Sequence, residues 1–156
     1  MKKMMLLMLL WGFTGLTLAA TWDARTTRTN TAVTDSDIQQ ALSSGISPAF
    51  TEAFPMKDFG IHVLVDRHIS DRFNGEAIYL SLGLCSRLPN GDYRLSVGSH
   101  TDLLFLPPNT SPDIQRQEVV KMLKVMLTGF SSGMIQNKSR FVNTPTQTQR
   151  QINPLR

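Results

Sequence analysis

Between residues 59 and 136 the hydrophobic pattern changes once, from strict alternation to helical spacing, and that change constrains the fold more than any other feature. In 59–68, Phe59, Ile61, Val63 and Val65 alternate with Gly60, His62, Leu64 and Asp66, which suits a half-buried strand. A polar turn around Ser70–Gly75 follows. In 76–86, Ile78, Leu80, Leu82 and Leu84 share one face, with Tyr79, Ser81, Gly83 and Cys85 on the other. Pro89-Asn90-Gly91-Asp92 predicts a hairpin, because Asn-Gly accepts the positive φ angles of a tight primed turn. Tyr93–Val97 then returns as a third strand, and Asp102–Leu106 forms a fourth, closed by Pro107 and Pro108. Beyond them Ser111 caps a helix, Pro112 sits where a missing N–H costs nothing, and Asp113 complements the helix dipole. Ile114, Val119, Leu123, Met126, Leu127, Phe130 and Met134 form its apolar stripe to about Ile135, a length of ~36 Å at ~1.5 Å per residue.

Upstream, Ile38, Leu42, Ile46, Phe50 and Phe54 fall at helical spacing. Asp35 or Ser36 is expected to cap this helix, which should break near Gly45–Ser47 and restart with Ser47 as cap. Residues 21–34 are Thr-rich and read as an extended or mobile lead-in; residues 137–156 read as a disordered basic tail. The expectation is one α+β domain over 35–136. It has a three- to four-stranded antiparallel sheet, with a broken N-terminal helix and a long C-terminal helix packed on one face. Cys85 is the only cysteine, so no intramolecular disulfide helps such a domain and packing must hold it.

The first twenty residues suggest where the chain works. Lys2 and Lys3 precede the apolar run Met4–Leu18, and Ala19 and Ala20 follow, the layout of a cleaved secretory signal peptide. A periplasmic or secreted location is the expectation. The formal net charge of +4 misleads, because the two lysines would leave with the signal. Between 35 and 136 acids outnumber bases, whereas the tail holds Lys138, Arg140, Arg150 and Arg156 and no acid. A nucleic-acid partner wants basic residues clustered on a folded face, and none is expected here.

Candidate chemistry is sparse. His62, Asp66 and His68 have the composition of a two-histidine, one-carboxylate metal set. On one strand, however, His62 and His68 would stand ~20 Å apart, with ~6.7 Å per same-face step. A site would need His100 and Asp102 brought beside Asp66 and His68; otherwise the three residues mark the solvent face of an edge strand. Cys85 lies among Leu82 and Leu84, where a buried thiol is expected rather than an activated nucleophile. There is no Gly-x-Ser-x-Gly elbow and no phosphate-binding glycine loop. Gly129 and Gly133 read as a helix end. No catalytic residue, metal or cofactor is therefore assigned. The exposed face of the first strand (His62, Asp66, His68) and the basic tail (Lys138, Arg140, Arg150, Arg156) are the candidate partner contacts.

Three stretches carry a family likeness: SPAFTEAF before the first strand, DRHISDRFNGEAIYLSLG across the first turn, and DLLFLPP before the final helix. With the element order behind a signal peptide, they resemble the periplasmic accessory protein of curli secretion, which works with an outer-membrane secretion channel. The likeness is one of residue class over about half the chain. The hairpin at Leu88–Tyr93, the lone Cys85 and the Thr/Gln-rich tail depart from it. It implies an adaptor that binds a channel or a substrate chain without catalysis, and no residue role carries over. The expected function is thus an exported, non-enzymatic adaptor or assembly factor of the bacterial cell envelope, with a protein partner and room for a homo-oligomer. The alternatives are a periplasmic inhibitor or immunity protein that binds one enzyme, and a small hydrolase or metal enzyme.

Overall fold

The Thr-rich stretch expected as a lead-in is extended, and it belongs to the sheet. In a computed structural model that describes residues 22–70 and 74–142, Ala24–Thr29 forms strand β1. The expected signal peptide at 1–20, and Arg150 and Arg156 of the expected tail, lie outside the described residues. Helices α1 (Asp35–Gly45) and α2 (Pro48–Ala53) follow, then strands β2 (Phe59–Ser70), β3 (Gly75–Arg87) and β4 (Tyr93–Leu106). The long helix α3 (Pro112–Gln136) and a short α4 (Lys138–Val142) close the described chain.

The four strands lie in the order β1-β2-β3-β4. β2, β3 and β4 form an antiparallel meander, but β1 runs parallel to β2, with Ala24 opposite Ile61 and Thr29 opposite Asp66. The sheet is therefore mixed, not wholly antiparallel. The physical reason is the crossover: α1 and α2 carry the chain back so that β1 and β2 point the same way. β2 is consequently an inner strand over Ile61–Asp66, not the edge strand expected. The third and fourth strands expected from the sequence are one continuous strand, β4. It accommodates a shift of register between Gly83 and Cys85.

Local chemistry sets the element ends. Thr34, one residue earlier than expected, caps α1: its side chain accepts from Asp37 N–H at 3.2 Å, and Asp37 Oδ2 accepts from Thr34 N–H at 2.8 Å. Ser47 and Ser111 cap α2 and α3, each with proline at the next position. α3 runs through Gly129 and Gly133 to Gln136, so those glycines do not end it. The hairpin closes with Gly91 N–H on Leu88 O at 2.9 Å and Leu88 N–H on Asp92 O at 2.7 Å. Of the Asn-Gly pair only Gly91 takes a positive φ, +86°, so the loop has three residues and not the two of a primed turn.

Helices cover one face of the sheet only. Ile61, Val63 and Val65 of β2 and Ile78, Leu80, Leu82 and Leu84 of β3 form the floor of the core. Ile38 and Leu42 of α1 and Val119, Leu123, Met126, Leu127 and Phe130 of α3 form its roof. Burying each such side chain contributes ~1.5–3 kcal/mol. At one end Phe50 meets Trp22, Phe54 and Phe130 with ring centroids 5.3, 5.0 and 5.9 Å away. Trp22 and Val33, both ahead of the expected domain start, are buried in this core.

Two polar ties hold the edges. Arg67 of β2 grips Glu76 of β3 through Nη2 at 2.7 Å and Nε at 3.0 Å. Gln115 of α3 donates to Glu76 at 3.0 Å and accepts from Ala32 N–H at 2.9 Å. At the other end Arg87 reaches Asp23 at 2.8 Å and lies over the Tyr93 ring, while Tyr93 hydroxyl donates to Asp23. Tyr93 rests on Gly60, where an added Cβ would stand 2.7 Å from Tyr93 Cε1 and 3.0 Å from the Asp23 carbonyl oxygen. Neither obstacle is a flexible chain end. Gly60→Ala is therefore expected to lower stability by about 1–3 kcal/mol, measured as a fall in the urea midpoint relative to Gly60-containing protein.

Candidate functional site

Strand registration places a defined set of side chains on the face that no helix covers. Across it run Thr29, Asp66, Tyr79 and Leu103 in one row and Thr27, Leu64, Ser81 and Thr101 in the next. His68, Ala77 and Phe105 form a third row, and Arg25, His62, Gly83 and Ser99 a fourth. The face has two parts: an apolar corner on β3 and β4, and a polar strip on β1 and β2. Leu103 is 48% exposed and Phe105 65%, with the half-buried Tyr79 and Ala77 beside them.

The strip holds all three candidate residues of β2. His68 Nε2 lies 2.8 Å from Asp66 Oδ2. Asp66 Oδ1 is shielded and has no hydrogen-bond partner among the described residues. His62 Nε2 lies 3.2 Å from Thr27 Oγ1, and burial, with Arg25 nearby, holds its pKa below the ordinary histidine value. Its imidazole is thus a neutral hydrogen-bonding group at neutral pH.

The arrangement does not gather a metal set. His100 and Asp102 pair with Leu82 and Leu80, so both belong to the helix side of the sheet, opposite Asp66 and His68. Among the described residues no group of three or more His, Cys, Asp or Glu side chains could hold a metal ion. Cys85 is buried, and burial pushes its thiol up, opposite to the direction that activates a nucleophile.

The two described residues of the expected tail, Lys138 and Arg140, do not join the face either. Lys138 and Arg140 stand on α4, and Arg140 lines a hollow with His100, Phe130 and Phe141 at the end of the helical layer. The described members of the sequence-predicted contacts therefore separate into two regions. The sequence does not mark Leu103 and Phe105, because Leu103–Leu106 is apolar at every position and alternation cannot tell its two faces apart.

No described helix is long and apolar enough to cross a membrane. The fold defines a class: a mixed four-stranded sheet with a helical layer on one side and a partly apolar face on the other. No family model matches the chain, no curated protein matches it, and no solved structure matches it.

Proposed function

We propose that this chain is an exported, non-enzymatic adaptor or assembly factor of the bacterial cell envelope, and that it binds a protein through the uncovered face of its sheet. One observation carries the reading: Leu103 and Phe105 lie side by side and solvent-exposed on a face that no element of the described chain covers. Exposed apolar side chains grouped on one surface and rimmed by polar ones mark interaction sites. Here Asp66, His68, His62 and Thr27 supply the polar rim. Export rests on the basic, apolar and small-residue layout of residues 1–20. The resemblance to the curli secretion accessory family supports the same reading, with an outer-membrane secretion channel or its substrate as the partner.

The test is capture of the tagged protein from cells after crosslinking, with partners identified by mass spectrometry. Wild type is expected to bring down an envelope component. Leu103→Glu and Phe105→Glu are expected to lose it at least tenfold while unfolding within about 0.5 kcal/mol of wild type, as exposed positions do. Capture of one soluble enzyme in its place would make the chain an inhibitor. Undiminished capture by both variants would mean that the partner does not dock on this face.

A further inference from the structure

β4 is one of the two outer strands of the sheet, the other being β1, and its backbone groups divide between the two sides. Ile61 N–H donates to Asp23 O at 3.2 Å, so odd residues of β2 bond toward β1 and even ones toward β3. In β3 the odd residues accordingly face β2, as Arg87 N–H on Asp58 O at 2.8 Å shows, and the even ones face β4. Even residues of β4 answer them. Thr101, Leu103 and Phe105 are left with N–H and C=O turned away from the sheet. A second observation agrees: Leu103 N–H donates to Oδ1 of its own neighbour, Asp102, at 2.8 Å. No strand of the described chain pairs with this edge.

Long sheet edges are commonly blunted by proline, lysine, a bulge or a covering loop. Ser99–Leu106 contains neither proline nor lysine, and the shift of register lies beyond it. The residues whose backbones point outward are also those whose side chains form the exposed corner of the face.

Resting on the reading that the chain binds a protein, the geometry points to the Thr101–Phe105 edge as the docking line for an extended segment of that partner, added as a fifth strand. The outward N–H and C=O groups recur every ~6.8 Å, a spacing that another extended backbone matches. Alternate side chains of the segment lie beside Leu103 and Phe105 and are apolar or β-branched. The others lie beside His100 and Asp102 on the opposite face, where the exposed carboxylate favours Lys or Arg. As the segment docks, Asp102 releases Leu103 N–H to the incoming carbonyl.

The probe is a fluorescent synthetic peptide of alternating Val and Lys, long enough to span Thr101–Phe105, titrated into the full mature chain. Its counterpart has the same side chains with alternate backbone amides N-methylated. The expected result is slowed amide exchange at Thr101, Leu103 and Phe105, and binding at least tenfold weaker for the methylated peptide. Leu103→Pro removes an N–H that β3 does not use, and should weaken the parent peptide at least tenfold with an unchanged circular dichroism spectrum. If that variant unfolds, the methylation arm still decides, because it leaves the protein intact. Equal binding of the two peptides overturns the inference. So does a peptide-free dimer in which the Leu103 amide is already protected, since a second copy then fills the edge. Either result with capture of the envelope partner retained overturns the edge alone; loss of that capture from wild type overturns the adaptor reading.

Discussion

Phe50→Ala is expected to lower the unfolding free energy by about 3–5 kcal/mol, the range for deleting a fully buried aromatic side chain. Phe50 is wholly buried, and its ring joins three parts of the chain: Trp22 ahead of β1, Phe54 in the turn after α2, and Phe130 on α3. The loss has two sources. The removed ring no longer leaves water on folding, and the surrounding rings cannot collapse fully into the space it leaves. A urea titration should show a lower midpoint with an unchanged slope, because the surface exposed on unfolding stays nearly the same. Trp22→Ala should fall short of additivity with it, since the two rings share one contact. Full additivity would mean that Trp22 does not pack there and that the strand it precedes is not fixed to the core.

The second large effect is expected at Glu76. Glu76→Ala should cost about 3 kcal/mol, the low end of the range for breaking a buried pair, because the Arg67 side chain keeps 22% of its exposure. The cost is mainly that of abandoned partners: the Arg67 guanidinium and the Gln115 amide lose their acceptor. Replacing the pair together, Arg67→Met with Glu76→Leu, should recover much of the loss. The same pair gives a pH dependence of known sign. Hydrogen bonds from Arg67 hold the Glu76 carboxyl below its ordinary value of 4.5, against the opposing effect of burial. A depressed carboxyl stabilises the fold above that ordinary value, and the contribution is lost as pH falls through the folded one. The stability gap between wild type and Glu76→Gln should therefore be full near neutrality and narrow below pH 4.5.

Much of this architecture is legible in the residues. The alternation of β2 and β3, the broken helix ending near Phe54 and the capped α3 follow from local period and capping chemistry, and they are present as expected. β1 is harder to read, because ARTTRT carries little apolar signal, and its pairing with β2 is not announced by any alternation of its own. That one strand turns β2 from an edge into an inner strand and makes the sheet mixed. The candidate face was half legible. His62, Asp66 and His68 follow from alternation, whereas Leu103 and Phe105 sit in a run with no polar residue to mark a side. The separation of His100 and Asp102 from Asp66 needs the β3–β4 register, which no single strand encodes.

If the uncovered sheet face meets a protein, site-directed photo-crosslinking in cells will trap that protein on it. A photoreactive residue at Tyr79 or Phe105 reports on that face, and one at Val125, exposed on α3, reports on the helical layer. A discrete adduct with an envelope protein is expected from Tyr79 and Phe105, and none from Val125. An adduct from Val125 alone, or none from the sheet face, would contradict that expectation.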